Sequence, residues 1–156
     1  MRQKPVSKYL KSLVRDRRIL IIISLSIITP LGLYSKAYTG IAQAWVRDYS
    51  GDILYEILWC LIVFWFALPI KDLIRLKSIT IKIAGWVFAV TCIIEISQLW
   101  FYLVPVEVRS HLLWRLLLGA GFDWWDFVHY AFGSFIGWCW IWQIGKTKLP
   151  KTTTEY

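Results

Sequence analysis

Seven carboxylates carry most of the chemistry open to this sequence. Asp48, Asp52, Glu56, Glu95, Glu107, Asp123 and Asp126 all fall within or beside strongly apolar runs. On a helix, Asp52 and Glu56 stack four residues apart on one face, and Glu95 and Gln98 share a face three apart, continued by Thr91 and Tyr102. Asp123, Asp126, His129 or Tyr130, Gly133 and Gly137 form a stripe at three-to-four spacing, in which Gly133 and Gly137 permit close helix approach. The cations in the same parts of the chain are Lys36, Arg47, Arg109 and Arg115. A carboxylate in apolar surroundings must pair with a cation, hold a proton or line a wet cavity. Seven acids against four cations exceed what mutual neutralisation requires. The excess points to a polar site built from Asp52, Glu56, Glu95, Gln98, Asp123, Asp126 and Tyr130 with Arg47 and Arg109. The competing reading is that Glu–Arg and Asp–Arg pairs lock helices together and bind nothing.

Catalysis has less support. Glu95 or Asp126 could serve as a general acid or base, with Arg109 on the phosphate of a lipid-linked substrate. No nucleophile elbow, metal-ligand cluster or phosphate loop accompanies them, so an enzyme is the weaker expectation. Cys60, Cys92 and Cys139 form no CxxC pair and read as small buried hydrophobes, which leaves neither a disulfide framework nor a zinc site. His129 is the sole histidine inside an apolar run, with no second one to share a haem, and no cofactor is expected. The net charge of +8 does not point to nucleic acid, because the basic residues lie between hydrophobic runs and no basic-aromatic module is present.

The elements that must position these residues are membrane helices. Of the 156 residues, 58% are hydrophobic and 17% aromatic, including 11 tryptophans, more apolar surface than a soluble domain of this size can hide. A helix crosses the hydrocarbon core of about 30 Å with about 20 apolar residues. The sequence predicts an all-α membrane protein, one integral membrane domain with four transmembrane helices over about 19–34, 53–70, 79–103 and 124–144. A basic segment, 1–18, precedes them and a tail, 145–156, follows. The run Ile19–Leu33 lacks a small-x-small cleavage pattern, so it reads as a span that stays attached. Pro30 should kink or end the first helix, Pro69 closes the second and Pro105 follows the third. Residues 36–51 read as interfacial, and 107–122 as an amphipathic interfacial or re-entrant segment. Trp45, Trp100, Trp114, Trp124 and Trp125 suit one interface belt, and Trp138, Trp140 and Trp142 the other. Trp59, Trp65 and Trp86 read as packing residues.

Orientation follows from the short loops. Seven basic residues precede the first span (Arg2, Lys4, Lys8, Lys11, Arg15, Arg17, Arg18). Four flank the link between spans two and three (Lys71, Arg75, Lys77, Lys82), and three lie in the tail (Lys146, Lys148, Lys151). These 14 of 18 should be cytoplasmic, which puts both termini there. The seven carboxylates then share the outer half of the membrane at similar depth.

The run Glu95-Ile-Ser-Gln98, then Arg109, then Gly119-Ala-Gly121-Phe122-Asp123-Trp-Trp-Asp126, then Tyr130 and Gly133, resembles the VanZ-like membrane proteins. Those carry an E-x-x-Q pair on one helix, an arginine in the next loop and an aspartate opening the last helix. The closer resemblance is to a small uncharacterised sister family of bacterial membrane proteins. In it tyrosine replaces an asparagine, as at Tyr130, and a Gly-Asp pair opens an earlier helix, as at Gly51-Asp52. The resemblance covers roughly residues 30–140 and implies Glu95, Gln98, Arg109 and Asp126 as signature residues. It also implies a bacterial-type inner (plasma) membrane, although another energy-transducing membrane such as the thylakoid fits the same pattern. The association of VanZ with low-level teicoplanin resistance would extend to this chain only by analogy.

Two functions are expected ahead of catalysis. The first is a membrane protein that binds a lipid headgroup, an amphiphile or an ion at the outer-leaflet carboxylate–arginine site. The second is an accessory subunit, in which aromatic surfaces and the Gly133/Gly137 stripe pack against a larger membrane complex or a second copy and the acids are structural.

Overall fold

The computed structural model describes residues 6–103, 107, 110–111 and 122–147. Arg109, Arg115 and most of the amphipathic 107–122 stretch lie outside the described residues, as does the tail from 148 onward. The described residues are helical, with no strand among them. Four long helices make the fold: α1 (Val6–Ala37), α2 (Gly51–Ala67), α3 (Leu73–Ser97) and α4 (Trp124–Lys146).

Helix α1 starts well before the apolar run and passes through Pro30 to Ala37, where a kink or end was expected. Proline removes one backbone hydrogen bond. Packing holds the turns on either side: Ile28 is buried, and a Cβ on Gly32 would lie 3.9 Å from Leu54 of α2. The buried face of α1 is Arg17, Ile21, Ser24, Ile28 and Ser35, while Ile19, Ile22, Ile23, Ile27, Leu31 and Leu33 are 46–56% exposed. That outward apolar row is what lipid would cover. Val14–Ala37 and Leu73–Trp100 are the two helical stretches among the described residues that are long and apolar enough to cross a membrane. By contrast, α2 has 17 residues, a rise of about 25 Å.

The segment expected as interfacial is itself helical. It begins at Ala42 in a left-handed conformation (φ 59°), runs through Gln43–Trp45, widens into a π-helical turn at Val46–Ser50 and enters α2. Helix α2 ends where Leu68 turns extended ahead of Pro69, as the residue before a proline must. Asp72 then starts α3 by accepting the Arg75 N–H at 2.7 Å, six residues earlier than the apolar run alone indicates. Past Ser97, α3 tightens into a 3₁₀ segment, Gln98–Leu103. Asp123 opens α4 the same way, accepting the Trp125 N–H at 3.0 Å.

Neighbouring helices run antiparallel. Near the start of α1, Arg17 donates to Ile70 O just past α2 (2.7 Å), and Gly145 at the end of α4 lies against Leu76 at the start of α3. At the other end, Lys36 donates to Arg47 O (2.9 Å) and the last turn of α3 meets the first of α4. Helix α4 packs on both α2 and α3, and α1 packs on α2. Ile21, Cys60, Leu61, Phe64, Ile70, Leu76 and Ile141 are the most deeply buried apolar residues between them. Trp59 and Trp65 pack against this core, as expected, but Trp86 is 69% exposed and faces outward from α3.

The two glycines of the α4 stripe set the α2–α4 distance. A Cβ on Gly133 would sit 2.8 Å from Glu56 Cβ and 2.9 Å from Ile53 O, and one on Gly137 would sit 2.8 Å from Cys60 Sγ. Only hydrogen fits there.

Candidate functional site

Two glutamates are wholly buried at the junction of α2, α3 and α4. Glu95 lies in the last turn of α3. Its Oε2 accepts from Gln98 Nε2 (2.7 Å) and from the Tyr130 hydroxyl (2.9 Å), and its Oε1 accepts the Asp123 backbone N–H (3.0 Å). One side chain thus ties the end of α3 to the entry and second turn of α4. Glu56 on α2 accepts from the Thr91 hydroxyl of α3 and the Ser134 hydroxyl of α4. Thr91 is one turn before Glu95 and Ser134 one turn after Tyr130, so the two carboxylate clusters adjoin.

A half-buried rim lies around this centre. The Asp123 carboxylate accepts the Trp125 N–H and, more weakly, the Tyr49 hydroxyl at 3.4 Å. Tyr49 stacks on His129, with ring centroids 4.3 Å apart and planes 12° apart, and His129 Nδ1 lies 2.8 Å from Trp125 O. Asp52 and Asp126 are half-buried and lie in the neighbourhood of the Tyr130 hydroxyl. One buried polar atom here is unmatched. Gln98 is 7% exposed and donates an amide N–H to Glu95, while its Oε1 has no hydrogen-bond partner among the described residues.

The structure brings Glu56, Glu95, Gln98, Asp123 and Tyr130 together and sets Asp52 and Asp126 beside them. Arg47 stands apart: it is exposed, and its carbonyl, at the head of the bundle, accepts from Lys36. Among the described residues, no basic side chain hydrogen-bonds Glu56 or Glu95; the donors are hydroxyls, an amide side chain and a backbone N–H. Arg109 lies outside the described residues. Of the two stripe candidates, Tyr130 is buried against Glu95, whereas His129 is on the rim against Tyr49. Gly133 and Gly137 face Glu56 and Cys60, as their spacing implies.

Sequence reasoning missed Ser134 and the part played by Tyr49. A lone serine carries little signal, though its place four residues after Tyr130 on the glycine stripe would have marked it. It also missed Arg17, which continues the buried row of Ile21, Ser24 and Ile28. Among the described residues, no three His, Cys, Asp or Glu side chains converge as a metal-binding group. What the arrangement can do is hold a hydrogen-bond donor: the free Gln98 oxygen and the surrounding carboxylates are all acceptors.

No match to the chain is found among curated proteins or among solved structures. A family model does match, over residues 41–134, a stretch that takes in Asp52, Glu56, Glu95, Gln98, Asp123, Asp126, Tyr130, Gly133 and Ser134. The chain therefore belongs to the family described as protein of unknown function (DUF2809).

Proposed function

We propose that the chain is an integral membrane protein with four spans and both termini in the cytoplasm. Its Glu95–Gln98–Tyr130 site, at the level of the outer leaflet, binds the ammonium head of a lipid or other amphiphile. The observation that carries this reading is the unmatched Gln98 Oε1 beside the buried carboxylate of Glu95. An unmade hydrogen bond on a buried acceptor costs roughly 1–3 kcal/mol, which a donor on a bound ligand would recover. A primary ammonium brings three N–H donors and a positive charge to a rim that holds Asp52, Asp123 and Asp126. The antiparallel packing, which gathers Arg15, Arg18, Lys71, Arg75 and Lys146 at one end and the carboxylates at the other, supports the orientation. Kinship with the VanZ-like proteins is part of the same proposal, supported by the spacing of Glu95, Gln98, Arg109 and Asp126.

The test uses purified protein in mild detergent and native mass spectrometry, with phosphatidylethanolamine and phosphatidylcholine of identical chains. Their heads differ in that the quaternary ammonium has no N–H. Wild type should retain phosphatidylethanolamine preferentially, and Glu95→Gln and Gln98→Leu should lose the preference while the apparent melting temperature stays measurable. Equal retention of both lipids by wild type would end this reading.

One observation favours an accessory subunit instead. A shallow apolar groove of about 420 Å³ lies between α3 and α4, lined by Ala84, Gly85, Phe88, Ala131, Phe135 and Trp138, and side chains of a partner helix could enter it. Persistent co-purification with one set of larger subunits, unaffected by Glu95→Gln, would favour that reading.

A further inference from the structure

The opposite end of the bundle holds a feature the carboxylate site does not use. A recess of about 690 Å³ opens between α1 and the link that follows α2. It is lined by the apolar Val14, Ile19, Ile22 and Pro69 and by the basic Arg15, Arg18 and Lys71. The Arg18 guanidinium lies over the Trp65 ring, 5.0 Å from its centroid, which holds the cation at the mouth. Arg17 points the other way, buried, and its bond to Ile70 O (2.7 Å) fixes α1 against the link, so the recess is shaped before anything enters it.

Among the described residues, the acids at this end are Asp16 and Asp72, and one oxygen of Asp72 is already engaged in capping α3. Positive charge is in surplus. Within the apolar lining, Ile19 and Ile22 belong to the exposed apolar row of α1, each about half exposed. An occupant must therefore offer an anion to three cations and hydrocarbon to two isoleucines in line with them. A free phosphate leaves the apolar lining uncovered, and a neutral lipid leaves the positive charge uncompensated.

We propose that this recess binds one anionic phospholipid from the cytoplasmic leaflet, its phosphate between Arg15, Arg18 and Lys71 and one acyl chain along Ile19 and Ile22. The inference rests on the membrane location and orientation proposed above and is independent of what occupies the carboxylate site.

Native mass spectrometry tests it with phosphatidylglycerol and phosphatidylcholine of matched chains. Wild type should retain one phosphatidylglycerol with a preference of about tenfold or more, since each basic residue near the headgroups adds attraction. The triple variant Arg15→Gln/Arg18→Gln/Lys71→Gln should lose that preference. The control Arg75→Gln/Lys77→Gln, which removes charge at the same end but outside the recess, should keep it, as should Glu95→Gln. All five basic side chains replaced are exposed, so the variants should fold, which the apparent melting temperature checks. Glycerol 3-phosphate at millimolar concentration should not displace the lipid. Equal retention of the two lipids, a triple variant that keeps the preference, or displacement by glycerol 3-phosphate would each overturn the proposal.

Discussion

At the scale of single residues, Glu95 accepts three hydrogen bonds from three different parts of the chain, and each bond can be removed separately. Tyr130→Phe deletes one donor and should lower unfolding stability by about 1 kcal/mol, read as the shift in a denaturant titration in detergent. Glu95→Gln should cost more, about 2–3 kcal/mol, because a carboxamide must aim its own N–H at another donor. If Tyr130→Phe proved the costlier of the two, the hydrogen-bond assignment would be wrong. Ser134→Ala should destabilise wild type but cost less in a Glu56→Gln background, and the difference measures the Ser134–Glu56 coupling. Much of this centre was legible in the sequence. Acids in apolar runs are conspicuous, and the Glu95–Gln98 spacing implied their contact. Choosing between His129 and Tyr130 was not possible from spacing, since the stripe admits both. Packing decides it: the face of α4 that meets α2 and α3 runs through Tyr130, Gly133, Ser134, Gly137 and Ile141, so Tyr130 turns inward and His129 to the rim.

At the scale of elements, the contrast among three glycines is the sharpest test of packing. Gly133→Val and Gly137→Val force side chains into the backbone and side chains of α2, and each should cost about 1–3 kcal/mol or more. Gly85→Ala, on the same kind of helix, meets nothing within 4 Å and should be neutral or stabilise by up to about 1 kcal/mol through helix propensity. Thermal unfolding of the three variants side by side reads both outcomes, and destabilisation by Gly85→Ala to the extent of Gly133→Val would contradict the packing. The apolar runs located the helices, but their ends depended on features a hydropathy reading passes over. Capped by Asp72, α3 starts six residues before its apolar run, and α1 continues through Pro30 because α2 supports the turns around it. Trp86 was read as packing from its depth in the chain, yet depth along a helix does not say which way a side chain faces.

At the scale of the whole molecule, charge is sorted along the bundle. The starts of α1 and α3 and the ends of α2 and α4 carry Arg15, Arg18, Lys71, Arg75, Lys77 and Lys146, while the opposite end carries Asp52, Glu95, Asp123 and Asp126. Loop charges made this division readable from sequence, because insertion itself responds to basic residues in short loops. Which helix touches which was not readable; the glycine contacts and the Glu56 and Glu95 bonds decide that. Site-directed labelling reads whether the carboxylate end lies on the side of the membrane opposite both termini, as proposed. Cys60, Cys92 and Cys139 would be replaced by alanine, single cysteines placed at Gly40 and Thr152, and intact cells treated with a membrane-impermeant maleimide. Labelling is expected at Gly40→Cys in intact cells and at Thr152→Cys only after the membrane is opened. Labelling of Thr152→Cys in intact cells, or protection of Gly40→Cys there, would contradict that orientation.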